Sequence, residues 1–150
     1  MEKYLITNKT VALMKLKNKT IIYSVENKEV INQGINKVLE YNCNYYGSSL
    51  DGRKKSARYI LNIKYKLPIL IDESNNIILI QLNSPKNDYC LYLVINKIID
   101  YKENEGYLKI YCLNNYIFNV KISKNSFEKI LLNSLKLNNI LNWRKSINFV

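Results

Sequence analysis

The chain has 150 residues, with 23 Lys and Arg against 12 Asp and Glu, a formal net charge of +11 and no His. That length suits one domain with its own core. The charge favours an anionic partner, although the same lysines would also serve simply to solvate the surface. Without imidazole there are no His bases, His triads or His metal sites, and Cys43, Cys90 and Cys112 are too scattered for a zinc module or a secreted disulfide framework. The thiols are read as buried and free, with no metal and no cofactor expected.

No window approaches about 18 uninterrupted apolar residues, and the start from Met1 to Asn8 has no apolar leader-like run. A soluble cytoplasmic protein with no membrane partner is therefore expected.

In chain order, Tyr4–Thr7, Val11–Lys17 and Thr20–Val25 read as strands, the last two joined by a short turn at Asn18-Lys19. Ile31, Ile35, Val38 and Leu39 recur at helical spacing and predict a helix over 28–41, with Gly34 an awkward residue in its middle. A second helix is expected at 49–62, opened by Ser48 or Ser49 as a capping hydroxyl.

Two apolar runs, Pro68–Ile71 and Ile77–Ile80, flank the turn-rich 72–76. Tyr89–Ile95, Tyr107–Leu113 and Tyr116–Ile122 follow as strands, with Asn114-Asn115 turning the last pair and Ile98–Tyr101 a further candidate before the 102–106 loop. Asn125 and Glu128, three apart, suggest a capping box for a third helix whose stripe is Phe127, Ile130, Leu131, Leu135 and Ile140. The segment 142–150 reads as a loosely ordered tail. With no repeat and no linker, the expectation is a single α+β domain of mainly antiparallel strands and about three helices.

The most informative stretch is Tyr45-Tyr46-Gly47-Ser48-Ser49-Leu50-Asp51-Gly52-Arg53-Lys54-Lys55-Ser56-Ala57-Arg58. Only three of the basic residues are Arg, and two of them, Arg53 and Arg58, lie here. In a lysine-rich chain, arginine is the residue kept for its planar, forked donors. At about 100° per residue, Leu50, Ala57, Ile60 and Leu61 share a sector that also takes Arg53, while Lys54, Lys55, Arg58 and Asn62 form a polar ridge beside it. Arg53 and Gly52 are thus read as architectural. Arg58, Lys54 and Lys55, followed by Lys64 and Lys66, are the candidate phosphate contacts. Gly47, Ser48 and Ser49 serve either as a plain cap and turn or as a phosphate cradle at the helix start, and Tyr45 and Tyr46 either as core or as base-stacking side chains.

An ordered series of short motifs then resembles the ComK family of competence transcription factors. It comprises Cys43 followed by Tyr45-Tyr46-Gly47-Ser48-Ser49 and Gly52-Arg53, then Lys66-Leu67-Pro68-Ile69, Asn76-Ile77, and Cys90 with an aromatic two residues on. Asn114, Ile122-Ser123 and Asn125-Ser126-Phe127-Glu128 complete it. The resemblance runs from about Cys43 to Phe127. It implies a cytoplasmic activator that binds double-stranded DNA at paired A/T-rich boxes, largely through the minor groove, as a homodimer or higher oligomer.

Longer members carry Gly where this chain has Asn115 and Trp where it has Tyr92. They also continue past the last helix with a segment linked to adaptor-guided proteolysis, so an adaptor partner is not expected here. Two other classes remain open: a protein that modulates a full-length relative without binding DNA, and a single-strand RNA binder using Tyr59, Lys64, Tyr65 and Lys66. A Ser48 or Ser49 nucleophile paired with Asp51 lacks both His and a nucleophile elbow, and no enzyme is expected.

Overall fold

The computed structural model describes residues 3–83 and 90–147. Six strands, β1 (Thr10–Leu16), β2 (Lys19–Ser24), β3 (Lys28–Ile31), β4 (Ile69–Asp72), β5 (Ile77–Leu82) and β6 (Leu91–Val94), form one sheet in the order β3-β2-β1-β6-β5-β4. Every neighbouring pair is antiparallel. A second, three-stranded antiparallel sheet is built from β7 (Ile98–Asn104), β8 (Tyr107–Cys112) and β9 (Ile117–Val120). With α1 (Ile35–Tyr45), α2 (Leu50–Leu61) and α3 (Lys124–Ile147), the architecture is the expected α+β.

The uninterrupted apolar runs arise because the large sheet is covered on both faces. Alternate residues of β5 go opposite ways: Ile77 and Leu79 join Leu13, Tyr92, Val38 and Leu39 under α1, while Ile78, Ile80 and Leu82 meet Leu108, Ile110, Phe118 and Phe127 on the other side. A smaller cluster of Ala57, Leu61, Leu67 and Leu137 joins α2 to α3.

Several local expectations are corrected. Tyr4–Thr7 is not a strand, because its backbone is held by side chains of α1 and of the residue that ends it instead of a ladder. Asn42, fully buried, accepts from the Ile6 amide at 2.7 Å and donates to the Tyr4 carbonyl at 2.8 Å, and the Tyr46 hydroxyl donates to the Ile6 carbonyl at 2.8 Å. The helix predicted over 28–41 is two elements. Its first residues pair with β2 as β3, and Gly34, with extended backbone (φ −67°, ψ 154°), is the residue before α1.

The first hairpin turns on Lys17-Asn18, one residue early, with Lys17 at φ 53°. Asn114 and Asn115 do turn the later hairpin, both in the left-handed region. At the start of α3 the cap is Ser123, whose Oγ accepts from the Ser126 amide at 3.1 Å, while Glu128 accepts from the Tyr101 hydroxyl at 2.7 Å. Residues 142–147, expected to be loose, complete α3, and the Lys145 ammonium donates to the Glu73 carbonyl at 3.0 Å. Tyr89 and residues 148–150 lie outside the described residues. Leu135 faces solvent; the buried stripe of α3 is Phe127, Ile130, Ser134 and Leu137.

Candidate nucleic-acid interface

The helix α2 begins as its sequence directs. The Ser49 hydroxyl accepts from the Gly52 amide at 2.9 Å, the preferred capping geometry. A Cβ on Gly52 would lie 2.9 Å from that hydroxyl oxygen and 3.2 Å from that of Ser48, so glycine is needed for the cap hydroxyls to close in. Gly47 sits at φ +92°, a conformation that a side chain would strain. Asp51 occupies the first turn of α2, where a carboxylate meets the positive end of the helix. It also pairs with Lys55 at 3.2 Å.

Arg53 is half-buried and turned inward. One Nη donates to the Tyr46 carbonyl at a long 3.5 Å, and its Nε is buried with no hydrogen-bond partner among the described residues. Burial pushes the Cys43 thiol up to about 11, against a smaller downward pull from the Arg53 guanidinium. Burial alone pushes Cys112 up to about 12. These are protonated thiols at neutral pH, and among the described residues no His, Cys, Asp or Glu group is arranged to hold a metal ion.

The candidate cations fall into two groups. Arg58 and Lys55 are exposed on the outer side of α2, with Lys54 half-buried near them. Neither Arg58 nor Lys54 has an ion pair among the described residues. Lys64 and Lys66 lie past the left-handed cap at Asn62 (φ 54°, ψ 44°) and border a groove absent from the sequence reading.

That groove consists of two adjoining hollows. The first, of about 450 Å³, is lined by Lys64, Tyr65, Lys66, Lys129, Ile130 and Asn133, among others. The second, of about 430 Å³, is lined by Tyr65, Lys66, Gln81, Asn83, Lys121 and Ile130, among others. Among the described residues no carboxylate lines either one. Four lysines from three parts of the chain therefore converge with no carboxylate lining the hollows among the described residues, the arrangement that focuses positive potential. Lys121 and Lys129 carry no short-range motif; Lys121 directly follows β9, and the packing of α3 against α2 and β5 places Lys129, so both reach the hollows beside Lys66 through the tertiary fold alone.

Tyr45 and Tyr46 pack edge to face, with centroids 5.0 Å apart. Tyr46 is tied to Ile6 while Tyr45 is exposed, so the pair divides between core and surface. No helix among the described residues is long and apolar enough to cross a membrane.

The fold and the groove define a basic α+β protein in which four lysines line two adjoining hollows with no carboxylate among the described residues. The profile described as "ComK protein" matches residues 1–146. The chain belongs to the ComK family. A competence transcription factor of Bacillus subtilis (strain 168) is 29% identical over 92 residues, 61% of this chain and 48% of that protein. The chain thus spans about half the length of the curated relative it matches. No solved structure matches.

Proposed function

We propose that this chain is a competence-type transcription factor that binds double-stranded DNA, prefers A/T-rich boxes, reads them mainly through the minor groove and self-associates. The observation that carries the reading is the convergence of Lys64, Lys66, Lys121 and Lys129 on a groove that no carboxylate lines among the described residues. Arg58 and Lys54 add to it from α2, with Lys55 partly committed to Asp51. Family membership supplies the biological class.

The physical mechanism is phosphate neutralisation with counterion release, combined with attraction of cations into the narrow, strongly negative groove of A/T-rich duplex. Minor-groove edges separate A·T from G·C and little else, so spacing between boxes held by two copies would supply the remaining specificity. The Gly47-Ser48-Ser49 cradle makes a lesser contribution to this reading, since the Ser49 hydroxyl is already engaged by Gly52 and Asp51 repels an approaching anion.

The test is fluorescence anisotropy against two duplexes of equal length, one with paired A-tracts and one G/C-rich, across a salt series. Tighter binding to the A-tract duplex, with a slope of log K on log salt of roughly −3 to −4 from the groove lysines alone, supports the reading. Equal binding to both duplexes leaves phosphate contact without sequence preference.

A second reading draws on an apolar stripe. Leu132, Leu135, Trp143 and Ile147 lie exposed along α3, Trp143 at 61%. Such a face supports self-association, but it would equally suit a protein that binds another family member without touching DNA. Failure to bind either duplex, together with co-elution with such a relative, would favour that second role.

A further inference from the structure

We propose that Tyr65 is a wedge that enters the duplex minor groove and opens a base step, while the hollows on its two sides seat the two phosphate backbones. The proposal rests on the duplex-binding reading above and names the residue that would distort the DNA.

The loop that carries Tyr65 is held rigidly at both ends. Ile63 packs against the Ala57–Leu61–Leu67–Leu137 cluster and Leu67 is part of it, so two anchors four residues apart leave only Lys64, Tyr65 and Lys66 exposed between them. Asn62 and Lys66 both adopt left-handed backbone, each at φ 54°. For Lys66, a long side chain with no local hydrogen-bonding compensation, that conformation is unfavourable and persists only because the surroundings impose it.

At the tip, Tyr65 is 82% exposed and makes no hydrogen bond or ring contact with the described residues. Its apolar ring therefore adds little to folding, whereas a flat aromatic with few rotatable bonds on a held backbone loses little entropy when it inserts.

Its placement fits the shape of the ligand. Tyr65 borders both hollows, with Lys64 and Lys129 on one side and Lys121 on the other, and Lys66 shared. A B-form minor groove is about 6 Å wide with a phosphate backbone along each rim. A ring in that groove would have cations against both rims. Aromatic or apolar wedges in the minor groove unstack a step and kink the duplex, and TA steps yield most readily. The preferred site would accordingly be an A/T-rich box containing a TA step. Tyr59 offers the contrast: it is 83% exposed but borders neither hollow.

The experiment uses duplexes labelled at both ends with a fluorescence-transfer pair, carrying an A/T box with either a central TA or a central AA step, and single strands of the same sequence. The full chain should shorten the end-to-end distance of the TA duplex more than that of the AA duplex. Tyr65→Ala should abolish the bend and weaken binding about ten-fold, the scale of losing one base–aromatic contact, with an unchanged salt slope. Tyr65→Phe should retain both properties, and Tyr59→Ala should behave like the unmodified chain.

Bending and affinity untouched in Tyr65→Ala, with the unmodified chain binding duplex, would overturn the wedge and leave the duplex-binding reading intact. Tighter binding to the single strand than to the duplex would also overturn it, in favour of stacking on unpaired bases. If the unmodified chain binds no duplex, the underlying reading fails as well.

Discussion

The α1 face of the large sheet and the α2–α3 side of the molecule resolve polarity in opposite ways. Under α1, the fully buried Asn42 side-chain amide is hydrogen-bonded to the Ile6 amide and to the Tyr4 and Val38 carbonyls at 2.7–2.9 Å. On the α2–α3 side, four lysines share a groove that no carboxylate lines among the described residues, a tyrosine stands in solvent, and Lys66 holds an unfavourable backbone conformation. The first region contributes stability because the buried Asn42 amide has found its partners. The second leaves charge and strain uncompensated, as sites that await a ligand commonly do. The contrast predicts that substitutions under α1 change folding and leave affinity alone, and that substitutions around the groove do the reverse.

The largest effect should come from Asn42→Leu. The leucine fits the volume but leaves the Ile6 amide and the Tyr4 carbonyl without their partner, a loss of about 3 kcal/mol. Chemical denaturation should show the midpoint falling with the slope unchanged, while the affinity of the remaining folded fraction for A-tract duplex stays the same. A fall in affinity at constant stability would break the division between the two regions.

Next in size is the double substitution Lys121→Ala with Lys129→Ala. Both side chains are exposed, so the folding midpoint should hardly move, yet the salt slope should shrink by about 2 as two phosphate contacts disappear. An unchanged slope would restrict the interface to the outer side of α2.

The groove's distribution along the sequence explains how much of it could be read in advance. The cap at Ser49, the inward turn of Arg53 and the Asn114-Asn115 hairpin are local rules of spacing and φ preference, and each appears where it was expected. Lys64 and Lys66 are singled out by the sequence as cations just beyond the second helix, and the structure places them on the lining of the groove.

Lys121 and Lys129 are not singled out, since their place on the groove depends on how the segment after β9 and the helix α3 pack, which no short-range pattern encodes. The strand read at Tyr4–Thr7 and the overlong first helix failed for a related reason. Periodicity gives a segment's amphipathic character, but the partner decides the element: Asn42 captures the N-terminal segment, and β2 captures Lys28–Ile31. Cys43 and Cys112 are buried, as their scattered spacing predicts, and burial is the main cause of their raised thiol pKa values.

The two arginines give a smaller test of the same division. Arg58→Ala removes an exposed cation without an ion pair among the described residues and should cut affinity several-fold, lowering the salt slope by about 1. Arg53→Ala removes the 3.5 Å bond to the Tyr46 carbonyl and should cost stability of about 1 kcal/mol with affinity unchanged. Measured side by side by thermal melting and anisotropy, the pair should separate on perpendicular axes. If Arg53→Ala weakens binding without altering stability, its guanidinium reaches DNA and the inward assignment is wrong.

The smallest and most diagnostic change is Lys66→Gly. Glycine accepts φ 54° without the steric cost that lysine carries there, but it also makes the unfolded chain more flexible. The two effects oppose, leaving a net change within about 0.5 kcal/mol, with stabilisation the expected sign because the left-handed conformation is imposed on Lys66 by the anchors at Ile63 and Leu67. Binding should nonetheless weaken, since the shared cation of both hollows is gone. Lys66→Asn separates the causes: asparagine tolerates the left-handed region yet lacks the charge, so it should match the glycine variant in affinity while keeping the loop stiff. If glycine weakens binding much more than asparagine, rigidity of the 64–66 tip matters beyond the charge of Lys66; equal losses would assign the effect to the cation.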